Sequence, residues 1–138
     1  MLYRSHDNLI LGFEQFVASN DQVTLLTAYM KIQALEKINR SKHIDQIVVR
    51  WQVGDLCGNT PASDLEEVWA YCKTNKIKLY RNTRLHMKVL WSGSNEAIIG
   101  SANVTNNGLG LSNRSNYELA ARAQNLSPDD LIYLNRVL

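Results

Sequence analysis

The stretch Arg84-Leu85-His86-Met87-Lys88-Val89-Leu90-Trp91 decides how this chain is read, together with Ala97-Ile98-Ile99-Gly100-Ser101-Ala102-Asn103 just beyond it. Between the two lies the turn-forming Ser92-Gly93-Ser94-Asn95, which predicts strands over 84–91 and 97–102 paired as an antiparallel hairpin. In the first run Arg84, His86 and Lys88 fall on one face, and Leu85, Met87, Val89 and Trp91 on the other. A strand with one core face and one active face requires that alternation. In the second run Ile99, Ser101 and Asn103 share parity, so pairing can set Ser101 and Asn103 beside His86 and Lys88; the loop length leaves the register open. The set then holds a nucleophilic nitrogen, a fixed positive charge and neutral hydrogen-bond donors, which suits attack on a phosphodiester.

Working outward toward the N-terminus, the pattern changes. Asn8 to Ser19 repeats Leu9, Phe13, Phe16 and Val17 at helical spacing. Gln22–Tyr29 and the Ile/Val-rich Ile44–Trp51 read as strands, the latter buried on both faces, with a short helix over Lys31–Arg40 between them. Gly54–Pro61 reads as a loop. Ser63 with Glu66 forms a capping-box pattern for a helix to about Thr74, and Ile77–Tyr80 is a third strand. This rhythm implies parallel strands joined by crossovers. After the hairpin, Tyr117–Arg122 reads as a further strand, and Ser127-Pro128-Asp129-Asp130 as a helix start. The expected fold class is therefore α/β, with a mixed, partly parallel sheet flanked by helices on both faces.

With 138 residues and 45% hydrophobic content, one domain over residues 1–138 is expected. Its last helix begins so near Leu138 that an N-terminal fragment of a longer protein, with a further specificity domain, is part of the expectation. Cys57 and Cys72 lack metal-ligand spacing and read as reduced thiols of a cytoplasmic protein. Neither a signal peptide nor a membrane-spanning run is expected from the sequence. A net charge of +2 says little, but its distribution says more. Lys73, Lys76, Lys78, Arg81, Arg84 and Lys88 fall between Lys73 and Trp91 with no acid among them. An anionic substrate gains from such a stretch, and Arg81 and Arg84 are taken as substrate-binding residues. Arg50 and Trp51 close the second parallel strand. They are read as contacts to a phosphate and to a base or sugar, against the competing reading of a buried Trp with a snorkelling Arg.

The hairpin resembles the phospholipase D superfamily, whose signature runs H-x-K, four residues, D, six residues, G-S, usually with Asn soon after. His86, Lys88, Gly100, Ser101 and Asn103 fall on that spacing, and the similarity is clearest from about Thr27 to Ala121. Gly93 stands at the Asp place, which puts the histidine network of the family in doubt; Glu118 is the carboxylate nominated to orient the imidazole instead. The resemblance implies a phospholipase D-like fold and a metal-independent phosphodiesterase without cofactor. His86 would form a phosphohistidine, Lys88 and Asn103 would stabilise charge on the phosphate, and Ser101 would donate to it or hold His86. A second histidine must protonate the leaving oxygen. His6 and His43 lack the accompanying pattern and read as surface residues, so a homodimer sharing one site is implied. The expected activity is a DNA endonuclease of the restriction or defence type. The competing readings are a phospholipase or phosphatidyl transferase acting on lipid, and a non-catalytic nucleic-acid-binding module.

Overall fold

The computed structural model describes residues 1–50, 56–57, 60–61, 63–112 and 114–138, with 56, 57 and 60 described by backbone alone. The order is β1 (Leu2–Arg4), α1 (Leu9–Ser19), β2 (Val23–Thr27), α2 (Ile32–Ile38), β3 (Ile44–Val49), β4 (Leu56–Cys57), β5 (Thr60–Pro61), α3 (Leu65–Thr74), β6 (Lys78–Arg81), β7 (Val89–Trp91), β8 (Ala97–Gly100), β9 (Leu119–Ala123) and α4 (Pro128–Asn135). Seven strands make one sheet in the order β1-β9-β8-β7-β2-β3-β6. β2–β3 and β3–β6 pair in parallel, and every other pairing in this sheet is antiparallel. The expected mixed sheet is thus a parallel half (β2, β3, β6) joined through β7 to an antiparallel half (β7, β8, β9, β1).

Two cores follow from strand alternation. Leu25, Ile47, Leu90 and Ile98 point to one face, where Phe13, Phe16, Leu35, Ile38 and Val68 of α1, α2 and α3 cover them. Leu26, Val48, Val89 and Trp91 point to the other, where Leu131, Leu134 and Val137 of α4 and its C-terminal end pack on them. Helices therefore lie on both faces. No residue of α4 is itself fully buried, and it covers the middle of the sheet only. On that face Leu2, Ile99 and Leu119 of the outer strands remain exposed.

Several boundaries differ from the reading of the sequence, each for a local reason. Regular pairing of the first hairpin strand begins only at Val89. Asn82 makes a turn before it, its Oδ1 accepting from Arg84 N at 3.0 Å and its carbonyl from Leu85 N at 3.1 Å. The alternation survives that turn, because Leu85, Met87, Val89 and Trp91 all join the second core. Ser63 is not the cap of α3; the cap position is Asp64, and it makes no side-chain cap bond. Both side chains are drawn instead to the segment that enters α2. Ser63 Oγ accepts from Met30 N at 3.0 Å, and Asp64 accepts from Ile32 N at 2.9 Å and pairs with Lys31 at 3.2 Å. The capping box expected at Ser127 does form, with Asp130 as its reciprocal partner. β4 and β5 form a short ladder inside the expected loop. β9 starts two residues later than expected, and β1, paired with it, was not expected at all. Three residues around the inward Tyr3 give too little periodicity to read.

Gly100 explains itself at the end of β8. A Cβ there would meet Ala120 Cβ and the Leu119 carbonyl, each at 2.6 Å, so only glycine lets β9 approach. Gly93 turns the β7–β8 hairpin at a φ of 78°, in the left-handed region that glycine adopts freely. Among the described residues no helix is long and apolar enough to cross a membrane.

Candidate active site

Strand direction collects the candidate residues at one edge of the sheet. The parallel strands β2, β3 and β6 end there, as do β8 and β1, while β7 and β9 begin there. Arg50 follows β3, Arg81 ends β6, His86 and Lys88 lead into β7, Ser101 and Asn103 leave β8, and Glu118 leads into β9. The hairpin register left open by the sequence is Val89 opposite Ile99, extended by Gly100 N donating to Lys88 O at 3.2 Å. One step further out, this register sets Ser101 opposite Met87 rather than opposite His86 or Lys88, unlike the expected pairing. Trp51 lies outside the described residues.

His86 is exposed and Lys88 half-buried, with 3.4 Å between Lys88 Nζ and His86 Nε2. An ammonium has only donors, so this contact is a hydrogen bond when Nε2 keeps its lone pair, the form a nucleophile needs. Burial holds the Lys88 ammonium below the ordinary lysine pKa; the Glu118 carboxylate pulls it back up, and the Arg50 guanidinium pushes it further down. Arg50, half-buried, lies over the Tyr29 ring at 5.7 Å, and its Nε has no hydrogen-bond partner among the described residues.

Asn103 is held by β2. Its Oδ1 accepts from the backbone N–H of Ala28 and of Tyr29, both at 3.2 Å, and lies 3.3 Å from the Thr27 hydroxyl. With the carbonyl oxygen so engaged, the amide group's NH₂ end is the one left to donate. Ser101 turns to Glu118, donating from Oγ to Oε1 at 2.6 Å, and accepts from Leu119 N at 3.1 Å. Glu118 is fixed in turn by Ser5, which accepts from Glu118 N at 2.8 Å and donates its own N–H to the Glu118 carbonyl at 3.0 Å. The nominated residues thus form two bonded groups, Lys88 with His86 and Glu118 with Ser101, linked electrostatically through Lys88. No bond joins Glu118 to His86 among the described residues.

Arg81 and Arg84 are exposed and make no side-chain bond to these groups among the described residues. Arg81 sits on β6, three strand spacings or roughly 14 Å from β7, so it is not brought together with His86 and Lys88. Gly93 lies at the hairpin turn, on the opposite edge of the sheet, and an Asp there could not reach His86. Thr27 and Ser5, which position Asn103 and Glu118, were missed. Their partners lie more than 70 residues away in sequence, beyond any local pattern.

Matched against protein-family models and against curated proteins, the sequence meets none. The fold does have counterparts. It is similar to Nuc from Salmonella typhimurium, a phospholipase D family member, with a TM-score of 0.71 and 16% identity over 99% of this chain and 90% of that one. It is similar to NucT from Helicobacter pylori at a TM-score of 0.63 and 14% identity, over 99% and 90% of the two chains. Phosphatidylserine synthase from Haemophilus influenzae Rd KW20 matches at 0.70 and 14% identity, over 97% of this chain and 35% of that one. The chain has the phospholipase D fold, as the hairpin motif implied.

Proposed function

We propose that this protein is a metal-independent phosphodiesterase that cuts DNA, as a homodimer whose two His86 side chains share one site. The observation that carries the reading is the exposed His86 imidazole with Lys88 Nζ at 3.4 Å from Nε2. A bound phosphate draws the Lys88 protons to its own oxygens and releases the Nε2 lone pair. Nε2 attacks phosphorus, the P–O bond to the leaving group breaks, and a phosphohistidine forms. Lys88 and the Asn103 amide stabilise the charge gathering on the non-bridging oxygens. The leaving oxygen takes its proton from a second imidazole, which then deprotonates the water that breaks the P–N bond. Lys88 and Arg50 supply the countercharge a metal ion would otherwise provide. The basic run from Lys73 to Lys88 supports a nucleic acid over a lipid substrate.

The second imidazole is best supplied by another copy. His43 precedes β3, at the far edge of the sheet, with Nδ1 3.1 Å from the Val17 carbonyl. His6 follows β1, three strand spacings from β7, roughly 14 Å and too far for one phosphate. A groove of about 470 Å³ on the α4 face, lined by Met87, Val89, Ile99, Tyr133 and Leu134, supports a second copy seated there.

Plasmid digestion in excess EDTA tests the chemistry. The parent protein is expected to cut, and His86→Ala and Lys88→Ala to fall to background. Cutting that persists in His86→Ala, or that vanishes with the chelator, would refute the reading. Sedimentation of Ile99→Lys tests the assembly: loss of dimer together with loss of activity is expected, and a fully active monomer would refute it.

A further inference from the structure

Tyr117 is 93% exposed, so its ring does no work for either core. It immediately precedes Glu118, whose carboxylate holds Ser101 in the candidate site. Its position is nonetheless built. Arg4 stands opposite Leu119 in the β1–β9 ladder, and Ser5 is joined to Glu118 by two hydrogen bonds, so His6 falls opposite Tyr117. The two rings meet edge to face, with centroids 5.3 Å apart and planes at 78°. His6 takes a φ of 62°, in the left-handed region that side chains other than glycine's rarely adopt. The turn carrying it is pinned by the Arg4–Asp7 ion pair at 2.6 Å and by Arg4 N donating to Asn8 Oδ1 at 2.7 Å. A histidine held in a costly conformation beside a solvent-facing tyrosine is a fixed aromatic surface at the rim of the site.

We propose that Tyr117, its ring set by His6, is a stacking platform for an unpaired nucleobase flanking the phosphate at His86. β1 and β9 lie beyond β8 from β7, so the platform sits roughly 10–14 Å from the His86–Lys88 pair. That separation reaches a neighbouring nucleotide rather than the attacked one. An open aromatic face accepts any base, so the platform strengthens binding without reading sequence. It also favours single-stranded or locally opened substrate, because a base inside a duplex has no free face. The inference rests on the nucleic-acid reading above.

The test is binding of a short single-stranded oligonucleotide carrying 2-aminopurine, in EDTA, on the otherwise intact His86→Ala protein. Tyr117→Ala is expected to weaken binding roughly five- to one-hundred-fold and to abolish the quenching of 2-aminopurine. Tyr117→Trp should restore both, whereas Tyr117→Leu, apolar but without a π face, should not. The slope of affinity against salt should stay that of the parent, since no phosphate contact is lost. An abasic site at the stacked position should weaken the parent and leave Tyr117→Ala unchanged. Parent-like binding and quenching in Tyr117→Ala would overturn the platform while leaving the nuclease reading standing. Failure of the parent to bind any oligonucleotide would overturn both.

Discussion

The parallel and antiparallel halves of the sheet solve different problems. β2 is buried along its whole length, and β3 along its last three residues, between α1–α3 and α4. Their side chains are spent on packing, and what they lend the site comes from backbone and ends: the Ala28 and Tyr29 N–H groups that hold Asn103, and Arg50. The antiparallel half is thinner. β8, β9 and β1 carry a helix on one face only, and leave Ile99, Leu119 and Leu2 open on the other. That half contributes the exposed His86, with Lys88, Ser101 and Glu118. The deeper packing and most of the candidate site thus lie on opposite sides of the β2–β7 seam, with Asn103 as the tie between them.

The largest expected effect comes from testing that division by cavity formation. Ile47→Ala, in the parallel half, should cost about 2–5 kcal/mol in urea denaturation, because it removes a fully buried side chain. The matching Ile99→Ala, 48% exposed, should cost less than about 1 kcal/mol. Equal losses would dissolve the contrast. Next in size, Asn103→Ala strands the Ala28 and Tyr29 N–H groups, and about 1–3 kcal/mol of stability should go with them. Asn103→Asp keeps the acceptor and should recover most of that stability without recovering activity, because the donor end is gone. Smaller again, Ser127→Ala removes the cap of α4, and should cost about 1 kcal/mol.

The two halves also differ in how far the chain announced them. The parallel half was legible because its signals are local: apolar runs at 23–27 and 44–49 and helical spacing between them. The hairpin motif was legible as well, since residues 86, 88, 101 and 103 lie close in sequence around one turn. What escaped is long-range. β1 is three residues long and acquires meaning only from β9, more than 110 residues later. Ser63 looked like a helix cap, but the Met30 N–H ahead of α2 takes its hydroxyl oxygen. Gly93 looked like a lost catalytic partner, whereas antiparallel pairing carries it to the far edge from His86. His6 was read as one more surface histidine because nothing near it in sequence reveals that Tyr117 stands opposite.

The smallest effect sharpens the electrostatic seam. Burial and the Arg50 charge lower the Lys88 pKa, and Glu118 opposes them. If the Lys88 charge serves the reaction, activity should fall as pH rises through that depressed value, at a lower pH than an ordinary lysine would dictate. Arg50→Gln removes a lowering influence and should move this alkaline limb up. Glu118→Gln removes a raising one and should move it down. Stability has the opposite sign. Between the folded and unfolded pKa of Lys88 the unfolded chain binds more protons, so this residue's contribution to stability grows with pH while activity is lost. An alkaline fall in rate that coincides with unfolding, or limbs that move the same way in both variants, would show that Lys88 does not stand between the two charges as the structure places it.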